Sequence, residues 1–343
     1  MAAKIRNALS ERSPPEILSV REDLQETAPA SKFMAFVVAT ALRSLNRCLQ
    51  LLRELPQDQP ANLVLARELK SAALARELQE LLGLWRLLQP ILNATTYRAS
   101  NRRLKFLLSA LAGSNKGLWI DRLASHPRPD KTKYRRAIER LAQAFQAEQL
   151  LAPAVQNLGA FAADLTVADL TVMLERESQA WRNVPTTTLA QEMVIDRGFA
   201  RTYLRGQRRL QGLDDAADLA TLKQLDGLHR WVLCFASQLK LLGRGQDDER
   251  QRDFWYAQHL AECLDETIAL LRVLDSPQFA ALSPKKAKRG ERVISARLDR
   301  LVERRQLLGA KAYRRSDAEL RYDVARDIQR LQSQNALNML LLE

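Results

Sequence analysis

The sequence has little of what disulfide-rich, membrane-spanning and sheet proteins are built from. It contains three cysteines, 12 glycines, 12 prolines and 6% aromatic residues in 343 positions. The cysteines, Cys48, Cys234 and Cys263, are far apart and form no CxxC pair, which argues against a disulfide framework or a zinc site. The first apolar stretch, Phe33 to Leu42, is too short to span a bilayer. We therefore expect a cytoplasmic protein with no membrane partner.

Common catalytic motifs are also missing. No GxGxxG, Walker loop, GxSxG or HExxH occurs. The histidines His126, His229 and His259 are far apart, and only His259 has a co-ligand at helical spacing, Cys263 at i+4. Two ligands are fewer than the three or four that zinc needs. The sequence thus predicts no enzyme activity, no cofactor and no metal site.

What the sequence does contain is helix-forming residues. Hydrophobic residues make up 46% of it, mostly leucine and alanine, which favour helices over strands. Apolar residues recur every three or four positions, and links with proline or glycine separate these stretches, so we predict an all-α fold of helical bundles. The predicted helices are Phe33–Leu55, Leu63–Leu88, Asn101–Leu111, Lys133–Leu151, Leu165–Trp181, Thr187–Leu210, Leu219–Leu242, Phe254–Leu274, Arg292–Leu308 and Ser316–Gln334.

Four segments follow from this pattern. Residues 1–30 mix serine, proline and charge and are predicted to form a polar tail. A break near Pro153 divides the rest into a first bundle, residues 31–152, and a second bundle, residues 153–335. Residues 336–343 are a short C-terminal end.

Positive charge dominates the chain and is concentrated in patches. The 53 lysines and arginines outnumber the 40 acidic residues, for a formal net charge of +13. Residues 97–140 hold twelve basic residues against three acids, 197–210 hold five against none, and 285–305 hold nine against three. A basic balance of this kind favours an anionic partner.

Two of these patches place cations on a single helical face. Residues at i, i+4 and i+7 lie on the same side of a helix. The two trios with this spacing are Arg98, Arg102 and Lys105, and Arg201, Arg205 and Arg208. Three cations without nearby acids repel one another, so a bound anion stabilises such a face, although a solvated face is the plain alternative.

The aromatic residues divide into two groups. Five tryptophans stand in apolar helical stretches, where a large ring usually fills the core. They are Trp85, Trp119, Trp181, Trp231 and Trp255. Four tyrosines stand among lysines and arginines, as stacking platforms for single-stranded nucleic acid do. They are Tyr97, Tyr134, Tyr203 and Tyr313.

Several short stretches occur in a characteristic order along the chain. In the first half they read LGLWRLLQP (82–90), YRASNRRL (97–104) and LAGSNK (111–116). In the second half they read TYLRGQRRL (202–210), LHRW (228–231), LAECL (260–264) and LGAKAY (308–313). In this order they resemble the CHAD (conserved histidine α-helical domain) family over roughly residues 31–330.

The resemblance implies two antiparallel helical bundles related by a pseudo-two-fold axis, with a basic cleft that binds inorganic polyphosphate. It implies no catalysis and no required cofactor. It also implies that the cytoplasmic protein associates with polyphosphate granules. The polyanion-binding residues that it implies are Arg76, Arg86, Arg102, Lys105, Arg205, Arg208, His229 and Lys311.

The chain also departs from the family pattern, which leaves alternatives open. Ala72 stands at the position of the first family histidine, and residues 231–236 replace a dense run of arginine and lysine. One alternative is a protein-interaction scaffold that has lost the polyphosphate site, with residues 231–236 as core or partner contact. Another is a nucleic-acid-binding protein, which the positive charge favours although the sequence has no recognisable motif for reading bases.

Lys285 and Lys286 are expected in a loop after Pro284.

Overall fold

A computed structural model describes residues 31–61, 64, 71–114, 139, 165–213, 217–242, 248–316, 318–326 and 328–329. These residues form helices and no strand; one isolated bridge joins Pro60 and Thr166. The all-α prediction is confirmed for this part of the chain. Among these helices, none combines the length and the hydropathy that a bilayer span requires. The helices are α1 (Lys32–Arg53), α2 (Ser71–Leu88), α3 (Ala94–Ser114), α4 (Val167–Arg182), α5 (Thr188–Met193), a π segment (Val194–Phe199), α6 (Ala200–Gln211), α7 (Leu222–Leu242), α8 (Asp248–Leu274), α9 (Pro277–Ala280) and α10 (Pro284–Ala312).

The helices group into two compact units. Unit 1 comprises the described parts of residues 1–111, 159–204 and 315–343, and unit 2 those of residues 112–158 and 205–314. The predicted boundary between residues 152 and 153 lies outside the described residues, as do the predicted tail, residues 1–30, and the predicted end, residues 336–343. The predicted helix Lys133–Leu151 lies outside them too, apart from residue 139.

In unit 1, α1 packs against α2 and α4. It begins after Ser31, whose side chain accepts a hydrogen bond from the Met34 N–H and so satisfies one of the open donors of the first turn. The apolar face predicted from the three-to-four-residue spacing is buried, as predicted. Its residues, Val37, Ala41, Leu45, Cys48 and Leu52, are all fully buried.

The start of α4 is fixed by a reciprocal cap. The Thr166 side chain accepts from the Asp169 N–H, and the Asp169 carboxylate accepts from the Thr166 N–H. At the other end of α4, the Trp181 ring lies 4.4 Å from the Trp85 ring of α2, measured between centroids. This pair of fully buried rings fills the core of unit 1.

In unit 2, α8 packs against both α7 and α10. Residues 266–271 of α8 are all buried, so this part of the helix has no solvent-facing side. The Phe235 ring of α7 stacks on Tyr313, just after α10, with 5.2 Å between centroids. The core of unit 2 therefore surrounds the C-terminal half of α8.

The α10 helix corrects one expectation from the sequence. It begins at Pro284, so Lys285 and Lys286 lie in its first turn and not in a loop. A proline in the first turn after a serine is a common helix start. The hydrophobic pattern missed this start because residues 284–292 are mostly charged and carry no apolar stripe.

Residues 188–211 are one continuous helical stretch that changes its winding in the middle. The π segment lies between α5 and α6, and such segments occur often at functional positions. Gly198 in this segment approaches α2 so closely that an added Cβ would clash with the Leu87 carbonyl oxygen. The predicted helix Thr187–Leu210 is thus present, and the π segment within it was not predicted.

Candidate functional site

The α6 helix has one exposed arginine face and one buried face. Arg201, Arg205 and Arg208 are exposed, whereas Thr202 and Tyr203 are buried. Among the described residues, no acidic side chain pairs with Arg201 or Arg208. The face therefore presents several positive charges at regular spacing along one helix.

Within unit 2, the buried side of α6 is held against the end of α10. Gly206 lies against the Tyr313 ring so closely that an added Cβ would clash with its hydroxyl. The Gln207 side-chain amide donates to the Tyr313 carbonyl oxygen at 3.2 Å. An added Cβ on Gly309 would lie 2.6 Å from a methyl group of Leu210. This tight packing fixes the orientation of the arginine face.

Two cations of unit 2 lie over aromatic rings. The Arg205 guanidinium carbon is 5.4 Å from the centroid of Trp231 on α7. The Lys311 Nζ, in the last turn of α10, is 5.3 Å from the centroid of Tyr256 on α8. A cation over a ring face is attracted by the quadrupole of the ring. Each cation is thereby held in place while it stays exposed.

The predicted polyanion-binding residues fall into two sets. Arg205, Arg208, His229 and Lys311 belong to unit 2 and come from α6, α7 and α10. The α6 helix contacts α7 through Arg205 and contacts α10 through its buried side. Arg205, Arg208 and Lys311 are exposed, and His229 is half-buried.

The other predicted residues belong to unit 1. Arg76 on α2 and the neighbours Arg102 and Lys105 on α3 are exposed. Arg86 lies in a run of eight buried residues, 81–88, and only 8% of it is exposed. Arg86 is therefore not part of an open basic surface in unit 1.

The aromatic residues depart from the sequence interpretation in both directions. Tyr203 and Tyr313, expected as exposed stacking platforms, are buried. The Tyr203 hydroxyl accepts from the Arg315 N–H at 2.7 Å. Trp255, expected in the core, is 50% exposed. Trp85 and Trp181 are buried as expected, Trp231 and Tyr97 are half-buried, and Trp119 and Tyr134 lie outside the described residues.

A buried carboxylate in unit 1 was not anticipated from the sequence. Glu177 on α4 is fully buried and accepts hydrogen bonds from the Trp85 indole N–H and from Arg103. Burial raises the pKa of Glu177, while the nearby Arg103 charge and the hydrogen bonds, including one with Ser100, oppose the rise. These partners account for both carboxylate oxygens, which makes Glu177 a structural group of the core.

The described residues contain no group of three or more side chains that could hold a metal ion. The His259 Nδ1 lies 2.8 Å from the Trp255 carbonyl oxygen. The Cys263 thiol points elsewhere and donates to the Leu301 carbonyl oxygen at 3.4 Å. Burial raises the pKa of Cys48 to about 12, so its reactive thiolate form is suppressed at neutral pH.

Residues 231–236 belong largely to the core of unit 2. Val232, Cys234, Phe235 and Ala236 are buried, and Trp231 is half-buried beneath Arg205. Of the two roles considered for this stretch, core and partner contact, the burial fits the core role.

Comparison with known protein families, curated proteins and solved structures finds no match to this chain.

Proposed function

We propose that this protein binds inorganic polyphosphate or a similar linear polyanion through the arginine face of α6, without catalysing a reaction. The resemblance to the CHAD family supports this proposal from the sequence side. The finer architecture that the resemblance implies, two antiparallel helical bundles related by a pseudo-two-fold axis, belongs to the same proposal, as does a location in the cytoplasm and at polyphosphate granules.

The observation that carries the proposal is the set of exposed arginines on α6. Arg201, Arg205 and Arg208 lie within eight residues, and the seven steps from the first to the last cover about 10 Å at the rise of an α-helix. Cations held this close repel one another, and a bound anion removes that cost. A chain of phosphates can contact several of them at once, and arginine forms bidentate hydrogen bonds with phosphate oxygens. A single phosphate can contact only one or two.

Two further contacts support a site in unit 2. The Trp231 ring restrains Arg205, which lowers the entropy lost when the arginine binds an anion. Lys311, on the helix against which α6 packs, adds a cation at the end of α10. The scaffold alternative loses its main candidate surface, because residues 231–236 are largely core.

A thermal-shift experiment tests the proposal with the double variant Arg205→Glu and Arg208→Glu. Medium-length polyphosphate should raise the melting temperature of the wild type, because a ligand that binds only the folded state stabilises it by about 2.7 kcal/mol at a hundredfold excess over Kd. Orthophosphate should have a much smaller effect. The double variant should lose the polyphosphate-induced shift.

The matched control reverses Lys285 and Lys286 to Glu, two exposed lysines in the first turn of α10. This lysine variant changes the net charge by the same amount as the arginine variant. It should keep most of the polyphosphate-induced rise in melting temperature. Melting temperatures without ligand show whether either variant is itself destabilised. A double arginine variant that binds as well as the wild type, or a wild type that ignores polyphosphate at low salt, contradicts the proposal and favours the scaffold alternative.

A further inference from the structure

Four side chains of unit 2 form a continuous surface cluster, which we call the α8 cluster: Trp255, Tyr256, His259 and Lys311. The His259 ring stacks on Trp255 with 4.0 Å between centroids and 25° between planes. The Tyr256 ring meets Trp255 edge to face at 5.2 Å, and the Lys311 Nζ lies over Tyr256 at 5.3 Å. The cluster thus joins three rings and one cation from α8 and α10.

Trp255 is more exposed than the other tryptophans that the structure describes. Half of its surface is open to solvent although His259 covers one face of the indole, whereas Trp85 and Trp181 are fully buried. An indole is a large apolar surface, and leaving it in water forgoes the stabilisation that burial would give. Packing within unit 2 does not use the open part of the ring, which leaves it available to a ligand.

Two exposed cations lie near the cluster. Lys311 and Arg252, the latter one helical turn before Trp255 on α8, are both exposed. On the neighbouring turn of α8, the acidic residues Glu249 and Asp253 lie within ion-pair distance of Arg314, at 2.6 and 3.5 Å. Arg252 and Lys311 thus place positive charge near the cluster, and Arg314 pairs with the acids of the preceding turn. On the following turn, Glu262 lies one turn after His259 and accepts a hydrogen bond from Gln258.

We propose that the α8 cluster stacks a base of a single-stranded nucleic acid, with Arg252 and Lys311 next to the flanking phosphates. The inference rests on the proposed function, because it adds a base-stacking position to a unit that binds the backbone through α6 and Lys311. Aromatic rings interleaved with cations are how proteins hold single strands without reading their sequence. This matches the absence of a sequence-reading motif.

Two other classes of ligand fit the cluster less well. Polyphosphate has no ring, so it gains nothing from the exposed indole. A protein partner would be recognised by a broader apolar patch with a buried centre, whereas the α8 cluster consists of rings with polar or ionic edges and a lysine. A double helix keeps its bases stacked inside and offers no free base face.

Fluorescence anisotropy with three probes of similar charge tests the inference: a labelled oligothymidylate, an abasic oligonucleotide of the same length, and polyphosphate as competitor. The wild type should bind the oligothymidylate about 5- to 150-fold more tightly than the abasic strand, the range expected for one stacked base. Trp255→Ala should lose this preference and keep its affinity for the abasic strand and polyphosphate. Trp255→Phe, which retains a ring, should keep most of the preference.

Tyr322→Ala is the matched control, because Tyr322 is a 71% exposed ring of unit 1 outside the cluster. This variant should prefer the oligothymidylate over the abasic strand as strongly as the wild type does. Quenching of wild-type tryptophan fluorescence by the oligothymidylate, without quenching by polyphosphate, supports the inference without any variant. Equal affinity of the wild type for the normal and abasic strands overturns it and leaves the indole to a protein partner. A Trp255→Ala variant that loses all three probes equally also overturns it. If the wild type binds neither polyphosphate nor the oligonucleotides, the proposed function itself is contradicted.

Discussion

At the residue scale, the main departure from a simple hydrophobic core is the number of buried charges that are paired. Arg297 on α10 makes two hydrogen bonds, at 2.8 and 2.9 Å, with the Glu266 carboxylate of α8. In unit 1, Glu177 forms an ion pair with Arg103. Removing one partner of such a pair leaves an uncompensated charge and typically costs about 3–5 kcal/mol. These residues therefore act on stability and not on ligand binding.

Replacing Glu177 with glutamine should change how stability depends on pH. Burial raises the pKa of Glu177 above its ordinary value of 4.5, so the folded protein holds the proton more tightly than the unfolded chain. The stability that this contributes is complete below the ordinary pKa and is lost as pH rises through the folded pKa. The unfolding free energy of the wild type, minus that of Glu177→Gln, should therefore fall with rising pH in urea titrations.

Arg103→Met provides the companion measurement. The Arg103 charge opposes the rise in the Glu177 pKa, so its removal should move the loss of stability to higher pH and make it larger. If the difference in unfolding free energy between the wild type and Glu177→Gln rises with pH instead, the charge of Arg103 outweighs the effect of burial. The core would then favour the carboxylate form of Glu177.

At the element scale, sequence spacing predicted most helices and failed where a local interaction overrides spacing. The buried face of α1, including Val37 and Leu45, followed from apolar periodicity alone. The start of α10 did not, because its first turns are charged and form no apolar stripe. The exposed indole of Trp255 could not be predicted either, since periodicity along one helix does not show which positions the neighbouring helices cover. Nor could Glu177, whose burial depends on the distant partners Arg103 and Trp85.

The π segment gives an element-scale prediction at Gly198. Alanine usually stabilises a helix by about 1 kcal/mol relative to glycine. At Gly198 an added Cβ would clash with the backbone of Leu87, which cannot move without shifting α2. We therefore expect Gly198→Ala to lower the unfolding free energy by about 1–3 kcal/mol, the usual cost of overpacking, as measured by urea denaturation.

Gly227→Ala, in the second turn of α7, is the matched substitution. Its added Cβ would meet only the guanidinium end of Arg209, at 2.5 Å, and Arg209 is an exposed, flexible side chain that can move aside. This variant should keep or raise the unfolding free energy. If Gly198→Ala is as stable as Gly227→Ala, the close approach between the π segment and α2 does not constrain the fold.

At the scale of the whole molecule, the question is whether total charge or its placement determines binding. A net charge of +13 attracts any polyanion at low salt. The exposed cations of the described part include the α6 face and the first turns of α10, which carry Lys285, Lys286, Lys288 and Arg289. Affinity at a single salt concentration does not separate these two surfaces, because both contribute to the long-range field. The dependence of affinity on salt does, because it reports the number of cations in direct contact with the ligand.

Salt titration of single-stranded oligonucleotide or polyphosphate binding should therefore distinguish the two surfaces. For single strands, the logarithm of the binding constant falls with the logarithm of salt by about 0.7 per phosphate contact. Arg205→Ala combined with Arg208→Ala should make the slope shallower by about 1.4, since two contacts are lost. Lys285→Ala combined with Lys286→Ala removes the same total charge and should leave the slope unchanged. Equal changes in both double variants would mean that the polyanion binds the charge of the whole molecule, and the α6 face would then have no special role.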